Sequence, residues 1–288
     1  MRKFRNMRLA SLLFGRNEHP LLEHFDFLVH ESEEAFRVSA GAYLDGKQLE
    51  DFRRDAFLFH QRQRGHLPQR EPHDAELQRA AAVRILRGRN ALEDEFAVDG
   101  PVDSRTGEPC QKYSLAFEEW AREQGKPALG SDEAEVVENM ARSVASHGTA
   151  SDLLANGVAH GIVRSDYQGI ACQERFDWLN PHRGIVTLHV CDGLSWLAST
   201  LRYGGIAHLL AFRQTLLAAA TGKTVPVHVI AVEKSVPHRC GVWHASRLLL
   251  RSVQRENEKA LRRLKQCRDC NHWPTGYEHV RVLEPLGF

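Results

Sequence analysis

The 288-residue chain contains no apolar run of the roughly 18–20 residues that a membrane-crossing helix needs. Its charge does not lean to one sign. There are 38 Lys and Arg against 37 Asp and Glu, so bulk electrostatics marks no nucleic-acid binder, and any such role must rest on local patches. Cysteine is sparse and scattered, at 110, 172, 191, 240, 267 and 270. That is the pattern of reduced thiols, not of a disulfide framework. The start is basic, but its apolar stretch at 9–14 is short for a secretion signal, so the expected setting is cytoplasmic, with no membrane partner. The Gly204-Gly205 pair has no phosphate-loop spacing, and no Gly-x-Ser-x-Gly stands in a hydrolase context.

What is present is an ordinary globular composition, 42% hydrophobic and 26% charged, in a chain long enough for a large core. Three- and four-residue apolar spacing predicts a helix over 47–64 with Leu49, Phe52, Ala56 and Phe59 on one face. A second helix, capped by Asp74, carries Leu77, Ala81, Ile85 and Leu86 and ends near Gly88. Residues 98–110 are turn-rich. Helices follow over 114–123 and 131–146, and a short one opens at Thr149 with Asp152 three residues on. The pattern then changes to three successive strands, 157–164, 169–179 and 184–191. A long helix over 199–220, an almost wholly apolar strand over 225–232, a short strand over 241–244 and a helix over 246–267 complete the chain. The order implies an α/β fold: a mixed central sheet flanked by helices, with a helical N-terminal layer. Residues 1–42 are expected as a flexible arm and 43–288 as one domain.

The third strand of the meander holds the most informative side chains. Alternation puts Val186, Leu188 and Val190 on one face, and Thr187, His189 and Cys191 with Ile185 on the other. Asp177, near the end of the preceding strand, reaches the same polar face, with His160 of the first strand beside it. His160, Asp177 and His189 together have the make-up of a two-His-one-carboxylate set, which suits Mn, Fe or Zn better than Mg. The bland alternative is a pair of polar histidines in a cleft, in a chain holding 16 of them.

The strand–Asp–strand order followed by a long helix resembles the core of the PD-(D/E)XK nuclease superfamily. It is most similar to the C-terminal nuclease domain of the exodeoxyribonuclease VIII type, found in phage-type recombination. The resemblance runs from Tyr43 to Tyr277 and is carried by 49–65, 100–107, 117–120, 125–126, 169–178, 184–194, 229–234 and 273–277. It implies a metal-dependent exonuclease acting on double-stranded DNA ends, a ring-like homo-oligomer and a single-strand annealing protein as partner. A carboxylate cluster would hold Mg2+ or Mn2+, and a lysine would orient the attacking water.

Carried over by position, Asp177 matches the first metal-binding Asp. Thr187 falls where the second Asp of Asp-x-Lys is expected and His189 where the Lys is expected. His160 stands at a strand Glu position, Arg84 at a helix His position, and Leu209 or Leu210 at a helix Gln position. These departures imply weakened or lost cleavage, with no cofactor needed, because one carboxylate rarely holds Mg2+ and histidine is largely neutral at pH 7. The alternatives are an active site rebuilt on His160, Asp177 and His189, or a non-catalytic structural or inhibitory subunit.

Basic residues supply the expected DNA contacts: Arg53, Arg54, Arg62 and Arg64, with Arg70 nearby, together with Arg84 and Arg175. Arg2, Lys3, Arg5, Arg8 and Arg16 would serve as a flexible DNA-binding arm or are simply a disordered start. Arg247, Arg251, Arg255 and Lys259, followed by Arg262, Arg263 and Lys265, form a basic stripe along the last helix. A solvated outer face is the plainer explanation of that stripe. Cys267-x-x-Cys270 with His272 is half of a zinc pattern, more simply read as two thiols at a helix end.

Overall fold

The computed structural model describes residues 20–68, 74–197, 199 and 205–280. Arg2, Lys3, Arg5, Arg8, Arg16 and Arg70 lie outside them. An N-terminal helical layer comprises α1 (Glu33–Val38), α2 (Gly46–Arg54), α3 (Ala56–Gln63), α4 (Ala75–Arg87), α5 (Arg89–Glu95), α6 (Leu115–Gln124), α7 (Ser131–Ser146) and α8 (Gly148–Leu153). The strands β1 (Val158–Ala159), β2 (Ile162–Tyr167), β3 (Ile170–Arg175), β4 (Trp178–Asn180) and β5 (Gly184–Cys191) follow. Then come α9 (Ile206–Thr221), β6 (Val227–Glu233), β7 (Cys240–His244) and α10 (Arg247–Cys270).

The main sheet has the order β1-β4-β5-β6-β7, with β5 and β6 parallel and the other pairs antiparallel. The fold is therefore α/β with a mixed sheet, as expected. Alternation along β5 and β6 sends side chains into two separate cores. Ile185, Val227 and Val229 pack with α2, α3, α9 and α10, while Val186, Val190, Ile230 and Val232 pack with α4, α7 and α8. Every residue of β6 is buried, as its apolar run requires of a strand paired on both sides and covered on both faces.

Several sequence expectations need correction. The helix expected over 47–64 is two helices. Asp55 adopts an extended backbone between them, and its carboxylate accepts the Leu58 N–H at 2.8 Å, capping α3. The cap of α4 is also different: the Asp74 carboxylate is engaged by the Lys234 ammonium and the Gln78 amide. The imidazole of His147, not Thr149, accepts the Ala150 N–H that starts α8. The arm expected over 1–42 is packed in its described part: Leu22 and Leu28 are buried, Val29 bridges to Ile162, and Arg164 clasps Glu31 with two hydrogen bonds.

The most consequential difference lies in the meander. The strands expected over 157–164 and 169–179 each break in two. His160 takes a left-handed backbone, φ 56°, and Gly161 fits against Leu28, where a Cβ would approach the leucine to 2.6 Å. Opposite them, Phe176 and Asp177 leave the ladder, tied only by Phe176 N–H to the Gly161 carbonyl and His160 N–H to the Asp177 carbonyl. The β2–β3 hairpin thereby separates from the main sheet as a two-stranded unit. His160 and Asp177 sit together at the resulting corner.

Candidate functional site

The corner sets the position of Asp177. Trp178 pairs with Val186, so Asp177, one residue earlier, faces Thr187 just past the end of the β4–β5 ladder. Its Oδ2 accepts the Leu188 N–H at 3.1 Å, the backbone donor that a longer β4 would have used. Asp177 and Thr187 thus come together as the alternation pattern predicts.

What lies between them is a guanidinium. Arg213, from the middle of α9, is 6% exposed and spends its donors on one cluster. Nη1 donates to Asp177 Oδ2 at 3.0 Å and to Thr187 Oγ1 at 2.9 Å. Nε donates to Glu174 Oε1 at 3.1 Å, and Nη2 donates to the Arg175 carbonyl at 3.1 Å. Glu174, equally buried, accepts the Gly46 N–H at 3.0 Å through Oε2. Gly46 is required there, since a Cβ would come within 2.5 Å of Leu209 and 3.0 Å of the Glu174 carboxylate. One buried charge network therefore joins β3, β5, the start of α2 and the centre of α9.

The electrostatics follow from burial. Loss of solvent pushes the Glu174 carboxyl up to about 7, against the pull of Arg213. Burial also opposes the charge on Arg213, but the Asp177 and Glu174 carboxylates outweigh it and hold the guanidinium above its ordinary pKa. His160 is driven down to about 4 by burial, reinforced by the Arg175 guanidinium. Arg175 Nη2 stands 2.9 Å from His160 Nδ1. An arginine only donates, so Nδ1 is the acceptor and the neutral ring carries its proton on Nε2. Burial lowers the His189 pKa as well, with Asp177 opposing.

A cavity of about 370 Å³ opens on this cluster, bordered by His160, Glu174, Asp177 and Arg213 with Lys47, Arg79 and Leu209 at its rim. Of the two leucines at the helix Gln position, Leu209 reaches it and Leu210 is buried in the core. A larger hollow of about 520 Å³ lies elsewhere, between α5, α7 and the 98–109 turn, and holds none of these groups.

The expected metal set is not assembled. Among the described residues no group of three or more His, Cys, Asp or Glu side chains is placed to hold a metal ion. His160 faces Arg175 through Nδ1, His189 does not border the cavity, and Asp177 is paired with Arg213. Of the oxygens that a hard divalent cation would need, Asp177 Oδ2, Glu174 Oε1 and Thr187 Oγ1 accept from the guanidinium, and Glu174 Oε2 accepts from the Gly46 N–H. These residues do not fit a resident Mg2+ or Mn2+. In the Cys267-x-x-Cys270 pattern, Cys267 is buried in the core and Cys270 is exposed, and among the described residues no third ligand joins them.

The expected DNA-contact arginines scatter. Arg84 lies away from the cavity in a two-bond pair with Glu138 at 2.7 and 2.9 Å. Arg53 and Arg54 are held by Glu50, and Arg53 also meets His208. Arg62 is half-buried and Arg64 ends α3 at the surface. Of the set only Arg175 stands at the cleft, between His160 and Glu33.

Sequence reasoning missed Arg213 and Glu174, the centre of the cluster. One signal was available: the described stretch Ile206–Thr221 is apolar apart from His208, Arg213, Gln214 and its threonines, with Arg213 its sole full charge. A lone arginine in a helix buried around its circumference demands a buried carboxylate partner.

The model of a family described as "PDDEXK-like domain of unknown function (DUF3799)" matches residues 89–284. A crystal structure of a "Putative exonuclease" from Eubacterium rectale superposes with a TM-score of 0.62 at 14% identity, over 90% of this chain and 97% of that one. At that identity the likeness is one of fold. No curated protein matches the sequence.

Proposed function

The chain belongs to the PDDEXK-like family DUF3799, whose fold it shares with nucleases that generally work with divalent metals, and we propose that it is a DNA-binding member that does not cleave through bound metal. The observation that carries this reading is the Arg213 guanidinium seated among Asp177, Glu174 and Thr187. A fixed monovalent cation occupies one oxygen of each carboxylate that would otherwise draw a divalent one. It cannot lower the pKa of a bound water as a metal does. Lys-to-His replacement at position 189 removes the second requirement, a permanent cation beside the scissile phosphate.

In this reading the ancestral ligand is the end of a double-stranded DNA, as in the exodeoxyribonuclease VIII type. A homo-oligomer and a single-strand annealing partner belong to the same proposal. The test is an assay on linear double-stranded DNA with Mg2+ and then Mn2+, beside a gel shift in chelator. Bound but uncut DNA is the expected result. Cleavage that disappears in Asp177→Ala would overturn it.

A further inference from the structure

The seven basic residues of the stripe, Arg247 to Lys265, divide into two groups that the sequence does not separate. Arg263 lies over the Phe52 ring and donates to the Phe52 carbonyl at 3.0 Å. Lys265 donates to the Gln168 carbonyl at the β2–β3 turn at 3.4 Å. These two hold the fold together. Arg247, Arg251, Arg255, Lys259 and Arg262 are exposed and make no side-chain hydrogen bond or ion pair among the described residues. The acids that interrupt the stripe in sequence are drawn aside: Glu256 turns to Arg53 and His208, and Glu258 accepts from the Gln254 amide. Asp269, exposed near the end of the helix, is the remaining carboxylate on α10.

Like charges four apart on a helix repel, and 247/251, 251/255 and 255/259 are all such pairs. The arrangement opposes helix stability, while most cations on the helical layer and sheet are tied to carboxylates, as in Arg84–Glu138, Arg164–Glu31 and Lys234–Asp74. Four residues of α-helix rise about 6 Å, so the stripe from 247 to 262 runs roughly 22 Å in a straight line. Its inner face, Leu250, Val253, Ala260, Leu261 and Leu264, is locked into the core. The cations are therefore held on a rigid rod.

We propose that this outer face of α10 is a docking surface for the phosphate backbone of double-stranded DNA, outside the Asp177 cleft. The proposal extends the DNA-binding reading above by naming the surface that supplies the affinity. A linear rank of fixed cations matches the linear charge of a duplex, which carries one charge per about 1.7 Å of axis. An anionic membrane fits less well, since Leu248 is the single large exposed apolar side chain on the helix and an interfacial helix needs a full apolar face.

The test is fluorescence anisotropy of a labelled duplex in chelator, across a salt series, with the full chain and its Arg251→Ser/Arg255→Ser/Lys259→Ser variant. Circular dichroism and urea unfolding check that the variant folds. Expected is a loss of affinity of tenfold or more at low salt, with the slope of log K against log salt shallower by two to three, about 0.9 for each phosphate no longer neutralised. Affinity and slope equal to wild type would overturn the surface while leaving DNA binding elsewhere intact. Binding of phosphatidylserine vesicles without binding of the duplex would overturn it as well. Metal-dependent cleavage by the wild type would overturn only the non-cleaving reading.

Discussion

Arg213 and Arg251 are the same side chain put to opposite uses. Arg213 is removed from water, ringed by two carboxylates, a hydroxyl and a carbonyl, and with the Glu174–Gly46 bond ties four elements together. Arg251 stands on an outer helix face with no partner among the described residues. A buried charge survives only when it is paired and hydrogen-bonded. A row of unmet charge survives only at the surface, where water screens it. The charge at the centre of the cleft is a structural one, while the row of open cations lies along the outer face of α10.

The contrast is most sharply broken at the cleft. Arg213→Ala leaves Glu174 buried without a counter-charge and should cost about 3–5 kcal/mol in urea unfolding. A loss under about 1 kcal/mol would mean that the cluster is not the tie described. Adding Glu174→Gln to Arg213→Met should recover much of that loss, because removing both partners of a buried pair is far milder than removing one.

Glu174 also makes stability depend on pH. Its carboxyl titrates at about 7 folded, against 4.5 for the ordinary group. Between those values the folded chain binds the extra proton. Its stabilising contribution is complete below 4.5 and is lost as pH rises through 7. Unfolding free energies measured from pH 5 to 8 should fall with this component, and Glu174→Gln should flatten it. Thr187→Val removes one neutral acceptor of the guanidinium and should cost about 1 kcal/mol. At the other extreme, Arg255→Ala on α10 should change stability by less than about 0.5 kcal/mol, so that any effect on DNA affinity is free of a folding effect.

Much of the fold was legible because it follows local periodicity. The helix at Ser131–Ser146, the buried strand Val227–Glu233 and the capped start of the last helix at Ser246 all follow from residues within one or two turns. Asp177 and Thr187 were placed together by strand alternation alone. The breaks were not legible. Asp55 ends one helix and caps the next in a stretch whose apolar spacing runs straight through. His160 takes a left-handed backbone at a position that carries no glycine, although histidine is among the residues that tolerate it best.

The centre of the site was hidden for a different reason. Arg213 meets Glu174 and Asp177 across 39 and 36 residues of chain, and no spacing rule reaches that far. The His160, Asp177 and His189 grouping is not assembled among the described residues for a nearer reason: a shared strand region does not fix which atoms face each other, and Arg175 engages His160 Nδ1.

The central claim, that a guanidinium stands where this fold would hold a metal, is tested most directly by calorimetric titration of Mn2+ into the wild-type chain and its Asp177→Asn variant. The account predicts no saturable binding in the wild type beyond that of the variant. A stoichiometric site present in the wild type and abolished by Asp177→Asn would contradict it.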